Sequence, residues 1–145
     1  MSSLSFFFEE VRPVKLPKKV LQNNIEFLIE NENKYPGDVS VIFCSDDYLL
    51  KINEQYLNHD YYTDIVTFDY VENSVISGDL FISVDRVEEN ASQLGVSFDE
   101  ELCRVIFHGI LHLCGYKDKT VAEKKLMREK EDFYLEKAGF KKEKR

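Results

Sequence analysis

The sequence predicts an α+β fold, with a single domain over residues 1–145 and a mixed β-sheet of about four strands on which helices pack, in the order βαβαββααα. Three observations predict it. A length of 145 residues suits one domain. A hydrophobic fraction of 43% is enough for one core at this length. Short apolar runs alternate with segments of helical periodicity, and runs of helices close the chain.

The first strand and helix are indicated by aromatic and apolar spacing. Leu4–Glu10 is short, apolar and aromatic, which is typical of a strand. Pro17 suits the first turn of a helix, because its missing N–H would have no partner there in any case. The apolar residues that follow fall on one helical face. They are Val20, Leu21, Ile25, Leu28 and Ile29.

The second strand and helix follow a predicted turn. Pro36-Gly37-Asp38 combines residues that favour turns, and we expect a turn there. Val39–Ser45 is the next strand. Ser45, with the acidic residues after it, can cap a helix that runs to about Tyr56. Residues 57–63 then form a polar and aromatic loop.

Two further strands are predicted to form a hairpin. Asp64–Tyr70 alternates in polarity as a half-buried strand does. A turn at Glu72-Asn73-Ser74 leads into a second strand, Val75–Val84, which contains Gly78. A glycine inside a strand indicates close approach of another backbone, and we interpret Gly78-Asp79 as a place where a substrate backbone can approach.

The rest of the chain is predicted to be helical. One helix runs from Asp85 to Leu94 and stops at Gly95. The pairs Ser97/Glu100 and Thr120/Glu123 have the spacing of capping boxes for two more helices. The last of these ends at Gly139.

The most informative segment is FHGILHLCGYKD, residues 107–118. His108 and His112 stand four apart and therefore lie on one helical face, one turn apart. Gly115 can end the helix in a left-handed conformation, so that the chain turns back and brings Asp118 over the histidines. Two imidazoles and a carboxylate are legitimate zinc ligands. The pattern predicts a metal site at His108, His112 and Asp118. The alternative is that the two histidines, four residues apart on an apolar helix, are only packed or hydrogen-bonded, as such pairs often are.

The third ligand has alternatives. Asp118 could instead cap the next helix near Thr120, with Cys114 or His59 completing the site. Cys114 follows His112 by two residues, about 200° round the helix, and so points away. We expect Cys103 and Cys114 to be core thiols. His59 belongs to a loop and would need that loop to fold over the site.

Three other residues are candidates near the site. Asp64 can accept a hydrogen bond from a ligating imidazole and act in catalysis, although a cap or turn carboxylate is equally consistent. Arg104, one turn before His108, can bind substrate phosphate or form a surface salt bridge. His59 can contact the substrate or act as a general acid, or be merely exposed.

Charge and cysteine content restrict the partners and the compartment. The net charge of −8 argues against a simple nucleic-acid binder. The distribution is uneven, because residues 1–116 carry a net −12 and residues 117–145 a net +4. Three cysteines without a C-x-x-C spacing fit a reducing compartment. No apolar run is long enough to span a membrane, and we expect a cytoplasmic location without membrane partners.

Three segments together resemble one family. INEQYLNHDYYTDIVTF, SGDLFIS and HGILHLCGYKD are similar to the sequence blocks of the YbeY-type bacterial rRNA maturation factors. The resemblance implies a metal-dependent single-strand endoribonuclease with one Zn²⁺ per chain, bound by His108, His112 and Asp118, which also activate a water. It implies action on ribosomal RNA at the 3′ end of 16S rRNA, with the ribosome or its small subunit as partner, in late ribosome maturation and quality control.

The chain departs from this family pattern at three positions. The third ligand of the family is a histidine, whereas Asp118 stands here. The family has an arginine, thought to hold RNA phosphate, at the position of Leu57, and a proline at the position of Tyr62. The departures leave open a second function, a ribosome-assembly binding factor whose metal is structural. A zinc peptidase is a third, which Gly109 disfavours because a peptidase has its general-base glutamate there.

Overall fold

Residues 3–140, which the computed structural model of the protein describes, have the predicted α+β fold and element order. These residues form four strands, which make one sheet, and five helices. The strands are β1 (Ser3–Glu9), β2 (Tyr35–Cys44), β3 (Ile65–Asp69) and β4 (Val75–Ser83). The helices are α1 (Lys18–Asn31), α2 (Asp46–Leu57), α3 (Val84–Leu94), α4 (Phe98–Leu113) and α5 (Val121–Lys137). The helices α1 to α4 pack on the sheet, and α5 packs on α4 and α1.

The sheet is mixed and has the strand order β1-β2-β4-β3. β1 and β4 both pair parallel with β2, and β3 pairs antiparallel with β4. The predicted hairpin of β3 and β4 is therefore confirmed. Its turn places Asn73 and Ser74 at φ angles of 51° and 64°. Positive φ at two central residues matches the right-handed twist of the flanking strands.

The turn predicted at Pro36-Gly37-Asp38 is wrong, because these residues lie inside β2. The pairing of β2 with β4 shifts register between Pro36 and Val39, which is the signature of a bulge. A bulge tolerates proline, whose missing N–H would otherwise leave a gap in the ladder. Gly37 packs tightly here, since a Cβ on it would lie 2.4 Å from Ser77 Oγ.

Two details of the helices also differ from expectation. Leu21, Ile25, Leu28 and Ile29 are buried as predicted, but Val20 is 54% exposed because it lies at the edge of the apolar stripe of α1. Val84 starts α3 and does not end β4, since Ser83 Oγ accepts a hydrogen bond from the Arg86 N–H and caps the helix one residue earlier. Within the described residues, no helix combines the length and apolar character needed to cross a membrane.

The two faces of the sheet are covered unequally. The main core lies between the sheet and the helices α1 and α4, and alternate β2 residues such as Val41 and Phe43 point into it. A smaller cluster beneath α2 contains Cys44, Leu49 and Val66 on the other face. α4 contacts β3, β4, α1, α3 and α5, and most of its residues are buried. α4 is thus the central helix of the fold, because it contacts two strands and three other helices.

Two glycines allow α4 and the hairpin to approach closely. A Cβ on Gly109 of α4 would lie 2.8 Å from Ile65 Cδ1 and 2.9 Å from Leu80 Cδ2. A Cβ on Gly78 of β4 would lie 2.4 Å from the carbonyl oxygen of Phe68 and 3.0 Å from Leu113 Cδ2. Gly78 is therefore approached by the backbone of its own hairpin and by α4. The interpretation of Gly78 as a point of substrate approach is wrong.

We predict that Gly78→Ala destabilises the protein by about 1–3 kcal/mol, because a backbone carbonyl cannot move aside for the added methyl group. Gly109→Ala should cost less. Its methyl meets only the ends of flexible side chains, and alanine gains up to about 1 kcal/mol of helix propensity over glycine. Urea unfolding followed by circular dichroism measures both. A Gly78→Ala variant as stable as wild type, or less affected than Gly109→Ala, would contradict this prediction.

Candidate metal centre

A helix-ending turn positions the predicted site. His108 and His112 lie one turn apart on α4, which ends at Leu113. Gly115 has a φ of +110°, its N–H donates to the carbonyl of His112, and the Tyr116 N–H donates to the carbonyl of Leu111. These two bonds make the Schellman arrangement that ends many helices. The chain then reverses and brings Asp118 back to the histidine face.

The three predicted ligands meet as a compact triangle. His108 Nε2 and His112 Nε2 are 3.0 Å apart, and Asp118 Oδ2 lies 3.2 Å from the first and 3.3 Å from the second. A tetrahedral zinc site, with metal–ligand distances of about 2.0–2.2 Å, has neighbouring ligand atoms about 3.3–3.6 Å apart. The triangle fits such an ion after shifts of a few tenths of an ångström. Within residues 3–140, these three side chains form the cluster of donors able to hold a metal.

The other nitrogen of each imidazole is held by a hydrogen bond. His112 Nδ1 lies 2.9 Å from the carbonyl oxygen of Tyr116, which can only accept, so Nδ1 carries the proton. His108 Nδ1 lies 2.7 Å from Glu131 Oε2. Both contacts leave the Nε2 lone pair directed at the triangle, as metal-binding histidines require. Asp64 was predicted to be such an acceptor, and this is wrong, because Glu131 and Tyr116 occupy both positions.

Glu131 is itself held by a buried ion network. It is 3% exposed, and its Oε1 accepts a hydrogen bond from Arg104 at 3.2 Å. Arg104 also donates to Glu101, which is 1% exposed. Burial alone lowers the pKa of His108, but the hydrogen bond and charge of Glu131 outweigh burial and raise it. Arg104 forms the salt bridge that was its alternative role, buried and not on the surface.

A second network supports the turn from the other side. The Tyr116 hydroxyl donates to Glu32 Oε1 at 2.5 Å, and Tyr134 and Lys130 of α5 donate to the same carboxylate. Burial raises the pKa of Glu32, but these hydrogen bonds outweigh it and lower the pKa, which keeps the carboxylate charged. Since Tyr116 also supplies the carbonyl for His112, the end of α1 and the helix α5 fix the metal centre together.

The triangle opens on two adjoining cavities. The larger, of about 680 Å³, is a groove lined in part by His59, Tyr61 and Leu57. The smaller, of about 390 Å³, lies towards α5 and is lined in part by Arg104 and Glu131. His108, Asp118, Asp64 and Ile65 line both cavities. The candidate metal centre therefore stands where the two meet.

The loop over the groove carries an aromatic pair. The rings of His59 and Tyr61 stack with centroids 5.1 Å apart, and both side chains are exposed. Asn53 is 2% exposed and fixes this loop, because its side-chain amide donates to the Tyr61 carbonyl at 3.0 Å and its backbone carbonyl accepts a hydrogen bond from the His59 N–H. His59 faces the same groove as the predicted ligands but is not in their cluster.

Comparison with known proteins decides the family. A model of the family described as endoribonuclease YbeY matches residues 8–139. The chain belongs to the endoribonuclease YbeY family. It is 54% identical over 126 residues to the endoribonuclease YbeY of Christiangramia forsetii, an alignment that covers 87% of this chain and 88% of the relative. It is 59% identical to that of Flavobacterium johnsoniae over 105 residues, which cover 72% and 76% of the two chains.

A solved structure agrees with this membership. The solution structure of TM1509 from Thermotoga maritima is similar to the chain, with a TM-score of 0.63 and 30% sequence identity over 92% of this chain and 88% of that one. The YbeY membership confirms the family that three sequence blocks indicated, and the predicted fold with it. It does not favour the alternative of an assembly factor that only binds.

Glu131 and the carbonyl of Tyr116 are two site groups that the sequence did not predict. A signal for Glu131 was present, because it falls on the buried stripe of α5 with Met127, Tyr134 and Leu135. A carboxylate on a buried helical stripe needs a partner. The Tyr116 carbonyl has no signal of its own, since every residue has one.

We predict that Glu131→Gln weakens metal binding roughly 10–100-fold, the usual cost of losing a partner that orients a ligand. A neutral amide stabilises the His108 N–H less and leaves Arg104 short of a counter-charge. Glu129→Gln, two residues away and exposed, is the matched control. Competition with a chromophoric chelator measures zinc affinity. Equal affinity in Glu131→Gln and wild type, with both folded, would show that Glu131 does not support the ligand.

Proposed function

We propose that the protein is a zinc-dependent, single-strand-specific endoribonuclease of the cytoplasm. Its substrate is ribosomal RNA, at the 3′ end of 16S rRNA, and it acts with the ribosomal small subunit in late ribosome maturation and quality control. The single observation that supports this most is the triangle of His108, His112 and Asp118 donor atoms at the edge of an open groove. Family membership supplies the nuclease chemistry.

The donor set suits zinc. Two imidazole nitrogens and one carboxylate oxygen are a common catalytic zinc environment, in which the fourth position is left for water or substrate. A bound zinc ion would polarise a phosphate oxygen and lower the pKa of water at that position. The side chains of His108, His112 and Asp118 are 22%, 28% and 39% exposed, so that position faces the groove. A structural zinc site is usually closed by four protein ligands, and this openness supports the catalytic role.

Surrounding residues would hold the substrate and move protons. Asp64 lines both cavities, and the contact of its carboxylate with the Asn90 amide is long, 3.5 Å, so the carboxylate is available to accept a proton from the attacking hydroxyl. His59 and Tyr61 present an exposed aromatic surface on which an unpaired base can stack. Stacking of this kind favours single strands, because bases in a duplex are already stacked.

The position of Gly109 argues against a peptidase. A side chain there would point at Ile65 and Leu80, into the core between α4 and the hairpin. The general-base glutamate of a zinc peptidase stands at this place in the motif and must reach the metal. The packing therefore excludes that base from this helix.

We predict that His112→Ala abolishes metal-dependent cleavage of single-stranded RNA carrying the 3′ end of 16S rRNA. The loss should exceed the roughly 10–100-fold expected when only an orienting partner is removed. A gel assay with nuclease-free preparations measures cleavage, and a peptide substrate should stay intact with both proteins. Undiminished cleavage by His112→Ala would mean that the activity arises elsewhere. A zinc-loaded wild type without activity would favour a binding role.

Asp118 gives a separate test of the ligand set. Asp118→Ala should lose most of its zinc, because only two protein ligands remain, whereas Asp118→His should keep it, since imidazole is an equally good donor. Zinc content after gel filtration, measured by atomic absorption, distinguishes them. His59→Ala tests the alternative third ligand and should retain about one equivalent. Full zinc in Asp118→Ala together with loss in His59→Ala would exchange their roles.

A further inference from the structure

The smaller cavity beside the metal centre carries a cationic wall. Lys124 and Arg128 of α5 line it together with Arg104 of α4. Lys124 and Arg128 are four residues apart and therefore lie on one helical face, one turn apart. His108 and Asp118 line the same cavity. Positive side chains from α5 thus face the space next to the candidate zinc.

These cations differ in how far they are already engaged. Arg104 is 17% exposed and is committed to Glu101 and Glu131. Arg128 is 49% exposed, and its contact with Glu131 is long, 3.9 Å between Nη1 and Oε1. Lys124 is exposed, and its ammonium group has no ion-pair or hydrogen-bond partner among residues 3–140. Lys124 and most donors of Arg128 are therefore available to an anion from solution.

The carboxylates around the candidate metal centre offset part of the attraction that a bound zinc ion would exert on a polyanion. Asp64, Asp118 and Glu131 line the cavities, on a chain with a net charge of −8. Nearby cations therefore strengthen the attraction of the site for a polyanion. The larger groove has its own exposed cations, Lys117 and Lys119, whereas in the smaller cavity the available cations are Lys124 and Arg128. Lys124 and Arg128 are thus placed to supply the attraction next to the metal centre.

We propose that Lys124 and Arg128 form a subsite for a phosphodiester of single-stranded RNA that adjoins the cleaved bond. The inference rests on the nuclease function proposed above and deepens it. With the scissile phosphate at the junction of the two cavities, one neighbouring phosphate enters the smaller cavity. Bases on the other side lie in the groove by His59 and Tyr61. Arg128 can offer two parallel donors to phosphate, and Lys124 a point charge.

Two single variants and their double variant test the subsite. Lys124→Gln and Arg128→Gln in the zinc-loaded protein should each weaken binding of a short, fluorescein-labelled, fully 2′-O-methylated single-stranded RNA, on the order of tenfold for a lost charged contact. Each lost contact should also reduce the slope of log affinity against log salt by about 0.7. Fluorescence anisotropy measures both. Lys125→Gln, exposed and outside the cavity lining, is the matched control and should resemble wild type.

Three further measurements separate an RNA subsite from damage to the metal centre and from a free-anion site. Arg128→Lys keeps the charge and should retain the wild-type salt slope. Zinc content should be unchanged in every variant, which excludes damage to His108 through Glu131. Inorganic phosphate, as a competitor, distinguishes a free-anion site from an RNA site.

The outcomes are decisive in either direction. Weaker binding and a shallower slope in Lys124→Gln and Arg128→Gln, but not in Lys125→Gln, would support the subsite. Equal RNA affinity in wild type, both single variants and the double variant, an equal loss in the control, a wild type that binds no RNA, or an effect confined to inorganic phosphate would overturn it. Failure of wild type to cleave the 16S rRNA segment, with the binding differences intact, would instead overturn only the proposed function.

Discussion

The packing of α4 against the hairpin is the constraint on which both the fold and the site depend. Gly109 lets the helix pack closely on Ile65 and Leu80, whose Cδ atoms lie 2.8 Å and 2.9 Å from where a Cβ would stand. This contact fixes the rotation of α4 about its axis. With the apolar face held against the sheet, His108 and His112 can project only towards α5 and the groove. The direction of the metal ligands is therefore a consequence of core packing, and no separate interaction is needed to aim the helix.

The same arrangement explains how charge is distributed around the centre. Glu131 must be nearly buried to reach His108, and a buried carboxylate is costly unless it is paired and fully hydrogen-bonded. Arg104 supplies that pairing and also neutralises Glu101. An arginine used in this way has few donors left for substrate. Cations that attract RNA must then stand outside the buried network, which is where α5 presents its exposed positive side chains.

Sequence reasoning succeeded where the signal is local. The helix caps predicted at Ser45, Ser97 and Thr120 are confirmed. In each, the side-chain oxygen accepts a hydrogen bond from the backbone N–H three residues later, so the cap depends only on residues that are close in sequence. Sequence reasoning failed at Pro36, where a turn-forming tripeptide lies in a bulged strand, since pairing with two neighbouring strands outweighs local preference. It also missed Glu131, whose contact with His108 joins residues 23 apart. Such contacts depend on how α5 packs on α4, and spacing along the chain does not encode that.

The turn after α4 links the metal to the fold in a limited way. Gly115 ends the helix, and Asp118 completes the triangle. Between them, the Tyr116 carbonyl accepts a hydrogen bond from His112, and the Tyr116 hydroxyl donates one to Glu32. A ligand that binds only the native state stabilises that state. The core between α4 and the sheet is complete without a metal, because the buried apolar side chains of α4 belong to the main hydrophobic cluster. The stabilisation supplied by zinc should therefore be concentrated in the turn at 114–118 and the start of α5, and this segment should be the first to loosen when the metal is removed.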